Sequence, residues 1–226
     1  MADIFDEVGE DLRRDQLTSF WKRYNTLIIG AAVLVVIGTG VWRGYAYWRD
    51  TKAAAAGDAF LQVMADTKAN DHKALAESLA VYASSAPADY ALLARFRMAS
   101  EHAAAGEADN ALNAFEGLSK ESGATQDFRD LAAIRAAMIT VDSENLDQMK
   151  ARLANYTNDI SPWRHAAREL LALSAIKAQN WTEAAGVIQK LLDDPQTPAD
   201  TQSRAQILKG LVTSASSDAF KDQAAS

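Results

Sequence analysis

The chain has 226 residues, with 30 Asp or Glu against 23 Lys or Arg, and it contains no cysteine. The net charge of −7 disfavours nucleic acid and anionic lipid headgroups as partners, and the missing thiol removes cysteine chemistry without deciding the redox compartment. Alanine is abundant and β-branched alternation is scarce outside one segment. The four prolines (Pro87, Pro162, Pro195 and Pro198) all fall where helical patterns break, so the composition predicts an all-α fold.

The first 23 residues read as a tail. Ile4, Phe5, Val8 and Leu12 share one helical face, surrounded by Asp3, Asp6, Glu7, Glu10, Asp11 and Asp15. Helices that lie on membranes carry basic polar faces, and this one is acidic. It suits either a short helix docking on a basic partner or a solvated, disordered tail.

Residues 24–48 read as a membrane-spanning helix with an aromatic flank. Tyr24 to Trp42 is a run of nineteen uncharged residues, bordered by Lys22 and Arg23 before it and Arg43 after it. Such a run matches the roughly 30 Å of hydrocarbon that a helix must cross. Trp21 and Trp42 lie about 31 Å apart along a helix. With Tyr24, Tyr45, Tyr47 and Trp48 they place amphipathic rings at both headgroup levels, and Arg43 can snorkel outward. A buried core helix usually carries a shorter apolar run. A cleaved signal peptide is disfavoured by the long acidic leader and by Arg43, Arg49 and Lys52 before the alanines at 53–55. Four flanking cations (Arg13, Arg14, Lys22, Arg23) against three (Arg43, Arg49, Lys52) lean toward a cytoplasmic amino terminus. Gly40 and Gly44 have the spacing that lets membrane helices approach, although they enclose Trp42 and Arg43 at the edge of the span.

Residues 49–213 show an internal rhythm. Helical patterns pair as 50–67 with 72–85, 89–105 with 108–121, 127–141 with 144–156, and 162–178 with 181–193. The intervening turns align at Asn70, Gly106, Glu144 and Gln179, spaced by 36, 38 and 35 residues. Five positions after each turn stands Leu75, Ala111, Met149 or Ala184, and four later Leu79, Phe115, Leu153 or Ile188. A period near 34 with helix–turn–helix grammar is the mark of tetratricopeptide-like repeats, in which stacked hairpins bury a continuous core. The turns lack glycine after the second pair, and Arg95 replaces the large aromatic expected early in a first helix. An irregular α-bundle is the plainer alternative. A last helix near 199–213, polar at Gln202, Arg204 and Lys209, reads as a cap, and residues 214–226 as a flexible tail.

No catalytic, cofactor or metal site emerges. His72, His102 and His165 are widely separated, and the His165–Glu169 spacing is more often a surface pair than half a metal site. Gly38-Thr39-Gly40 lies within the span and lacks the strand that a phosphate loop requires. The expectation is a non-enzymatic domain. Its first helices carry Arg95, Arg97, Arg129, Arg135, Arg164, Arg168 and Lys177. Arg97, Arg135 and Arg168 are the candidates for a basic groove that receives an acidic partner segment, the alternative being ordinary solvated cations. The Asn and Lys arrangement with which some tetratricopeptide domains grip a chain-terminal carboxylate is absent, since Phe96, Ser100 and Ala103 occupy that stretch.

The segment Asp15-Gln16-Leu17, then Phe20-Trp21-Lys22-Arg23-Tyr24, the span, Gly44 to Trp48, and the element Tyr90-Ala91-Leu92-Leu93-Ala94 together resemble the YfgM-like proteins, ancillary subunits of the Sec translocon. The resemblance implies a single-pass protein of the bacterial inner membrane, with a cytoplasmic amino terminus and a periplasmic tetratricopeptide-like domain. It further implies Sec translocon subunits and a membrane-anchored periplasmic chaperone of the prolyl-isomerase type as partners, with no catalytic residues and no cofactor. The alternatives are a scaffold for another envelope assembly, such as a cell-division or respiratory complex, and a cytoplasmic regulatory domain of inverted topology.

Overall fold

The computed structural model describes the backbone of residues 3–67 and 70–224, and the side chains of residues 21–27, 29–67 and 70–216. Nine helices occur among the described residues, without a strand: α1 (Asp3–Asp66), α2 (His72–Ser85), α3 (Ala88–Ala104), α4 (Ala108–Ser119), α5 (Gln126–Thr140), α6 (Leu146–Leu153), α7 (Arg164–Lys177), α8 (Trp181–Asp193) and α9 (Ala199–Ala224). The chain divides into two compact units, Met1–Ala55 and Ala56–Ser226.

In the first unit the tail is helical, so it is not separate from the span in secondary structure. The acidic stripe around Ile4, Phe5, Val8 and Leu12 lies outside the described side chains. From Trp21 onward the helix is long and apolar enough to cross a membrane, and its most apolar window is wholly unburied by protein. Leu27, Leu34, Val36 and Val41 are each about 70% exposed. Aliphatic surface of this extent is unfavourable in water, by about 25 cal/mol per Å², so this face fits a hydrocarbon solvent. Thr39 stays compatible with such a solvent because its hydroxyl donates to the Val35 carbonyl, 2.7 Å away.

In the second unit the hairpin register appears directly in the burial. Leu75, Ala111, Met149, Ala184, Leu79, Phe115, Leu153 and Ile188 are all buried, none more than 9% exposed. The alanines permit close approach, and the larger residues fill the space toward the neighbouring hairpin. Phe60, Val63 and Met64 of α1 join Leu75 and Leu79 of α2 and Ala94 of α3 in one cluster. Phe96, Phe115 and Phe128 link α3, α4 and α5 in a second. The third and largest runs from Ile134 and Ala137 of α5 through α6, α7 and α8 to Ala205 and Val212 of α9. Each cluster joins successive helices, as expected of a quasi-linear stack.

The turns explain how hairpins form with so little glycine. Asn70, Gly106 and Gln179 adopt φ of +72°, +77° and +55°. Around Gly106, the Glu107 amide donates to the His102 carbonyl and the Gly106 amide to Ala103. Asn180 and Gln179 donate equivalently to Ala175 and Ile176. These are left-handed helix-terminating turns, of which only one uses the residue best suited to them. Glu144 does not take this conformation. There the chain turns through Val141–Glu144, with the Ser143 and Glu144 amides both donating to the Thr140 carbonyl, and Asn145 opens α6 through a capping box with Gln148. Asp71, Thr125 and Asn180 cap α2, α5 and α8 by accepting from the amides of Ala74, Phe128 and Glu183. A left-handed non-glycine costs roughly 1–2 kcal/mol, offset in part by the freedom that glycine adds to the unfolded chain. Gln179→Gly is therefore expected to raise stability by roughly 0.5–1 kcal/mol in urea titration. A loss of stability would show that the Gln179 side chain contributes something the turn needs.

Two expectations need correction. Helix α9 continues to Ala224 instead of ending near Thr213. Hydroxyl back-bonds from Thr213 to Lys209 and from Ser216 to Thr213 accompany this continuation, in a segment rich in alanine. The cap is also less polar than Gln202, Arg204 and Lys209 suggested, since Ile207 and Leu211 are exposed on it.

Candidate functional site

The first helices of successive hairpins present short exposed rows. On α3 the row contains Leu93 and Arg97, on α5 Arg135 and Met138, and on α7 Leu173 and Lys177. Spacings of three or four residues place each pair on one side of its helix. Helices α3 and α5 are neighbours through the Phe96 and Phe128 rings, whose centroids are 5.3 Å apart. Helices α5 and α7 are neighbours through Ile134, Ala137 and Leu170, and through Lys177, which donates to the Val141 and Glu144 carbonyls at 2.7 and 2.6 Å.

The three arginines proposed for a basic groove have different fates. Arg135 is exposed and makes no ion pair within 4 Å with a described residue. Arg97 Nη2 lies 2.5 Å from Glu101 Oε1, and Glu101, only 2% exposed, also accepts from His72 Nδ1 at 2.6 Å. Arg97 thereby helps to hold α2 against α3. Arg168 is 3% exposed and lines no open row. Its Nε donates to the Thr157 carbonyl at 3.1 Å and its Nη2 to Asp159, while Nη1 lies 3.6 Å from Asp194. The other cations are similarly engaged. Arg95 meets Glu121 at 2.9 Å, Arg129 donates to the Ala124 carbonyl at 2.6 Å, and Arg164 meets Asp194 at 2.6 Å. Most of the basic residues on first helices are thus fasteners between elements. Arg95, Arg164 and Lys177 find their acceptors 26 to 36 residues away, too far for periodicity to reveal them, whereas the Arg97–Glu101 pair has the i,i+4 spacing of a helix.

Beside Arg97, Arg135 and Lys177, the rows also expose apolar side chains: Leu93, Met138 and Leu173 are 43%, 49% and 39% exposed. Leu173 stands three residues after Leu170 on α7, yet it does not join the buried face. Instead Leu170 and Leu171 point inward, and Ser174 is buried with its hydroxyl unpartnered.

His165 does not pair with Glu169. Its Nε2 donates to Asp194 Oδ2 at 3.0 Å, and Glu169 is taken by Arg204 of α9. Asp194 also accepts from Arg164 and from the Gln196 amide. Arg164, chiefly, and then that amide hold its carboxyl far below the usual carboxylate range. His102 pairs with Glu107 at 2.7 Å. No group of three or more His, Cys, Asp or Glu with metal-binding geometry occurs among the described residues.

The short α6 leaves a cavity of about 460 Å³ beside α4, where Arg152 bridges Glu116 at 3.0 Å and Glu144 at 2.5 Å. The Arg152 hydrogen bond lowers the pKa of Glu144. Tyr156 borders the same cavity and donates to Asp130 Oδ1 at 3.2 Å. Burial, then the Asp130 charge, push its phenol up to about 12 from 10.0. A raised phenol pKa stabilises the fold below pH 10, and this contribution is lost as pH rises from 10 to about 12. Tyr156→Phe is expected to lose less stability than the native chain across that window. Equal losses would show that the phenol is not held in its neutral form.

The aromatic flanks form on the described part of α1. Trp21, Trp42, Tyr45 and Trp48 are all more than half exposed, and Tyr24 and Arg43 are exposed too. The Arg23 guanidinium lies 5.9 Å from the Tyr24 ring centre and the Lys52 ammonium 4.1 Å from that of Trp48, while Tyr45 and Trp48 have centroids 6.0 Å apart. Cations stacked on the rings at both ends suit headgroup-level anchors.

The profile of the tetratricopeptide repeat-like domain family matches residues 18–170. Neither a curated protein nor a solved structure matches the chain. The profile ends within α7, whereas the hairpin grammar continues through α8.

Proposed function

Because the chain belongs to the tetratricopeptide repeat-like domain family, whose repeats are protein-interaction modules that are typically non-catalytic, we propose that it is a membrane-tethered, non-enzymatic adaptor. The observation that carries this reading is the pairing, in one chain, of an unburied apolar helix with a stack of interaction repeats. A span of this kind keeps the repeats near a membrane site and raises their effective concentration there without tight binding. The more specific reading is an auxiliary subunit of the Sec translocon, lying in the bacterial inner membrane with the amino terminus cytoplasmic and the repeats periplasmic. It brings a membrane-anchored chaperone of the prolyl-isomerase type to emerging substrates. This is supported by the resemblance of the segments flanking the span, and of Tyr90-Ala91-Leu92-Leu93-Ala94, to the YfgM-like proteins.

The surface favoured for partners is the set of exposed rows on α3, α5 and α7. Photo-crosslinkers at Leu93, Met138 and Leu173 are expected to capture translocon and chaperone subunits in native membranes. Recovery of a different envelope assembly would move the reading to a scaffold for that assembly. Proteolysis of the repeats in spheroplasts tests the orientation, and protection from external protease would reverse it.

A further inference from the structure

A second cleft, of about 380 Å³, opens where α7 begins and α8 ends, lined by Asp159, Arg164, Arg168, Lys190, Asp193 and Asp194. Its charged groups are not equally committed. Arg164 is saturated by Asp194, Gln196 and the Ser161 carbonyl. Asp194 is saturated by Arg164, His165 and the Gln196 amide. Asp193 accepts from Gln189 at 2.7 Å. Lys190, by contrast, is exposed and makes no ion pair within 4 Å with a described residue.

The Arg168–Asp159 pair is unequal. The Arg168 side chain is 4% exposed and fixed by α7 and the Thr157 carbonyl, whereas the Asp159 side chain is 93% exposed, on the connection between α6 and α7. The carboxylate approaches a buried guanidinium from solvent and touches little else. At the cavity beside α4, both carboxylates that neutralise Arg152 are themselves partly buried, at 34% and 19% exposure, and so belong to the packing. Replacing Asp159 with another carboxylate leaves Arg168 neutralised, so the exchange leaves no buried charge unpaired. The incoming group also gains Lys190, which Asp159 does not use. With Asp159 displaced, the cleft's own charges become three cations against two anions.

We propose that this cleft is a carboxylate-binding site for a protein partner, and that Asp159 is its resident, displaceable occupant. The partner's carboxylate lies between Arg168 Nη2 and the Lys190 ammonium, and it comes from an acidic side chain or from a chain terminus. This rests on reading the chain as an interaction module and adds a second contact, separate from the mixed apolar and basic rows of α3, α5 and α7.

The test uses the full chain in detergent micelles and the fluorescence anisotropy of two labelled peptides. One is an Asp/Glu-rich peptide with both ends blocked, the other a neutral peptide with a free terminal carboxylate. Asp159→Ala removes the internal competitor and is expected to tighten binding about three- to tenfold. Lys190→Gln removes an exposed cation that pairs with no described residue and is expected to weaken binding about threefold. Thermal melts confirm that both variants are folded. Binding of either peptide with both responses supports the site and identifies the carboxylate source. Binding of neither peptide, or any other response to the two substitutions, overturns it. Crosslinks from Leu93, Met138 and Leu173 do not depend on Lys190, so their survival in Lys190→Gln separates failure of this cleft from failure of the adaptor reading.

Discussion

Phe115→Ala is expected to destabilise the repeat unit by about 3–5 kcal/mol. Phe115 is 2% exposed and is the largest of the fully buried side chains. Its ring stands nearly edge-on to Phe96, with centroids 5.2 Å apart, and Phe96 in turn meets Phe128 at 5.3 Å. One side chain on α4 therefore organises the contact between two consecutive first helices. The surrounding residues include Ala99, Ala132 and Ala136, which are too small and too deeply buried to fill the vacated volume. The site cannot collapse, so the cavity cost adds to the lost transfer energy. In a stack whose members touch only their neighbours, that loss concentrates at the junction of the second and third hairpins. Urea titration followed by circular dichroism, on the full chain in detergent, reads the effect. Val81→Ala, at a 73% exposed site on α2, is the comparison and should change stability by less than about 0.5 kcal/mol. A Phe115→Ala loss no greater than that of Val81→Ala would show that the aromatic junction does not hold the stack.

Val33→Arg combined with Leu34→Arg is expected to release the protein from membranes. Both side chains lie near the middle of the uncharged run, and both are at least half exposed. An arginine at the centre of a spanning helix costs about 2.5–3.5 kcal/mol on insertion scales, so the pair costs about 5–7 kcal/mol. Snorkelling gives least relief there, because the centre is farthest from both headgroup layers. Leu61→Arg is the control. Leu61 is 65% exposed on the same helix α1, but it lies nineteen residues beyond Trp42. Alkaline carbonate extraction should leave the native chain and Leu61→Arg in the pellet and bring the double variant into the supernatant. A double variant retained in the pellet would refute a span centred on this run.

The hairpins were legible because their determinants are local. Burial of an apolar face every three or four residues is written into the order of residues. The positions counted from each turn, Ala111 and Phe115 or Ala184 and Ile188, are the ones the stack buries. The scarcity of glycine at the turns hid less than expected, because Asn70 and Gln179 take the left-handed conformation themselves. The partner surface was less legible. A lone arginine on a first helix looks the same in sequence whether it faces solvent, like Arg135, or closes on a loop, like Arg168. Arg164 finds Asp194 thirty residues away and Arg152 finds Glu116 thirty-six residues away. Helical period carries no signal over such separations.

The amino-acid sequence by itself determined the elements of this protein: an uncharged run long enough to cross a bilayer, and hairpins in register with their buried faces chosen. Both follow from burial periodicity and chain length, which are properties of neighbouring residues. The tertiary structure alone decided which charges are occupied and which are available. It turned most of the expected basic surface into fasteners, left Arg135, Leu93, Met138 and Leu173 exposed, and set the solvent-facing Asp159 on the buried Arg168. The reason is that a guanidinium seeks whatever acceptor the fold brings near it, and only the packing of successive hairpins decides which acceptor that is.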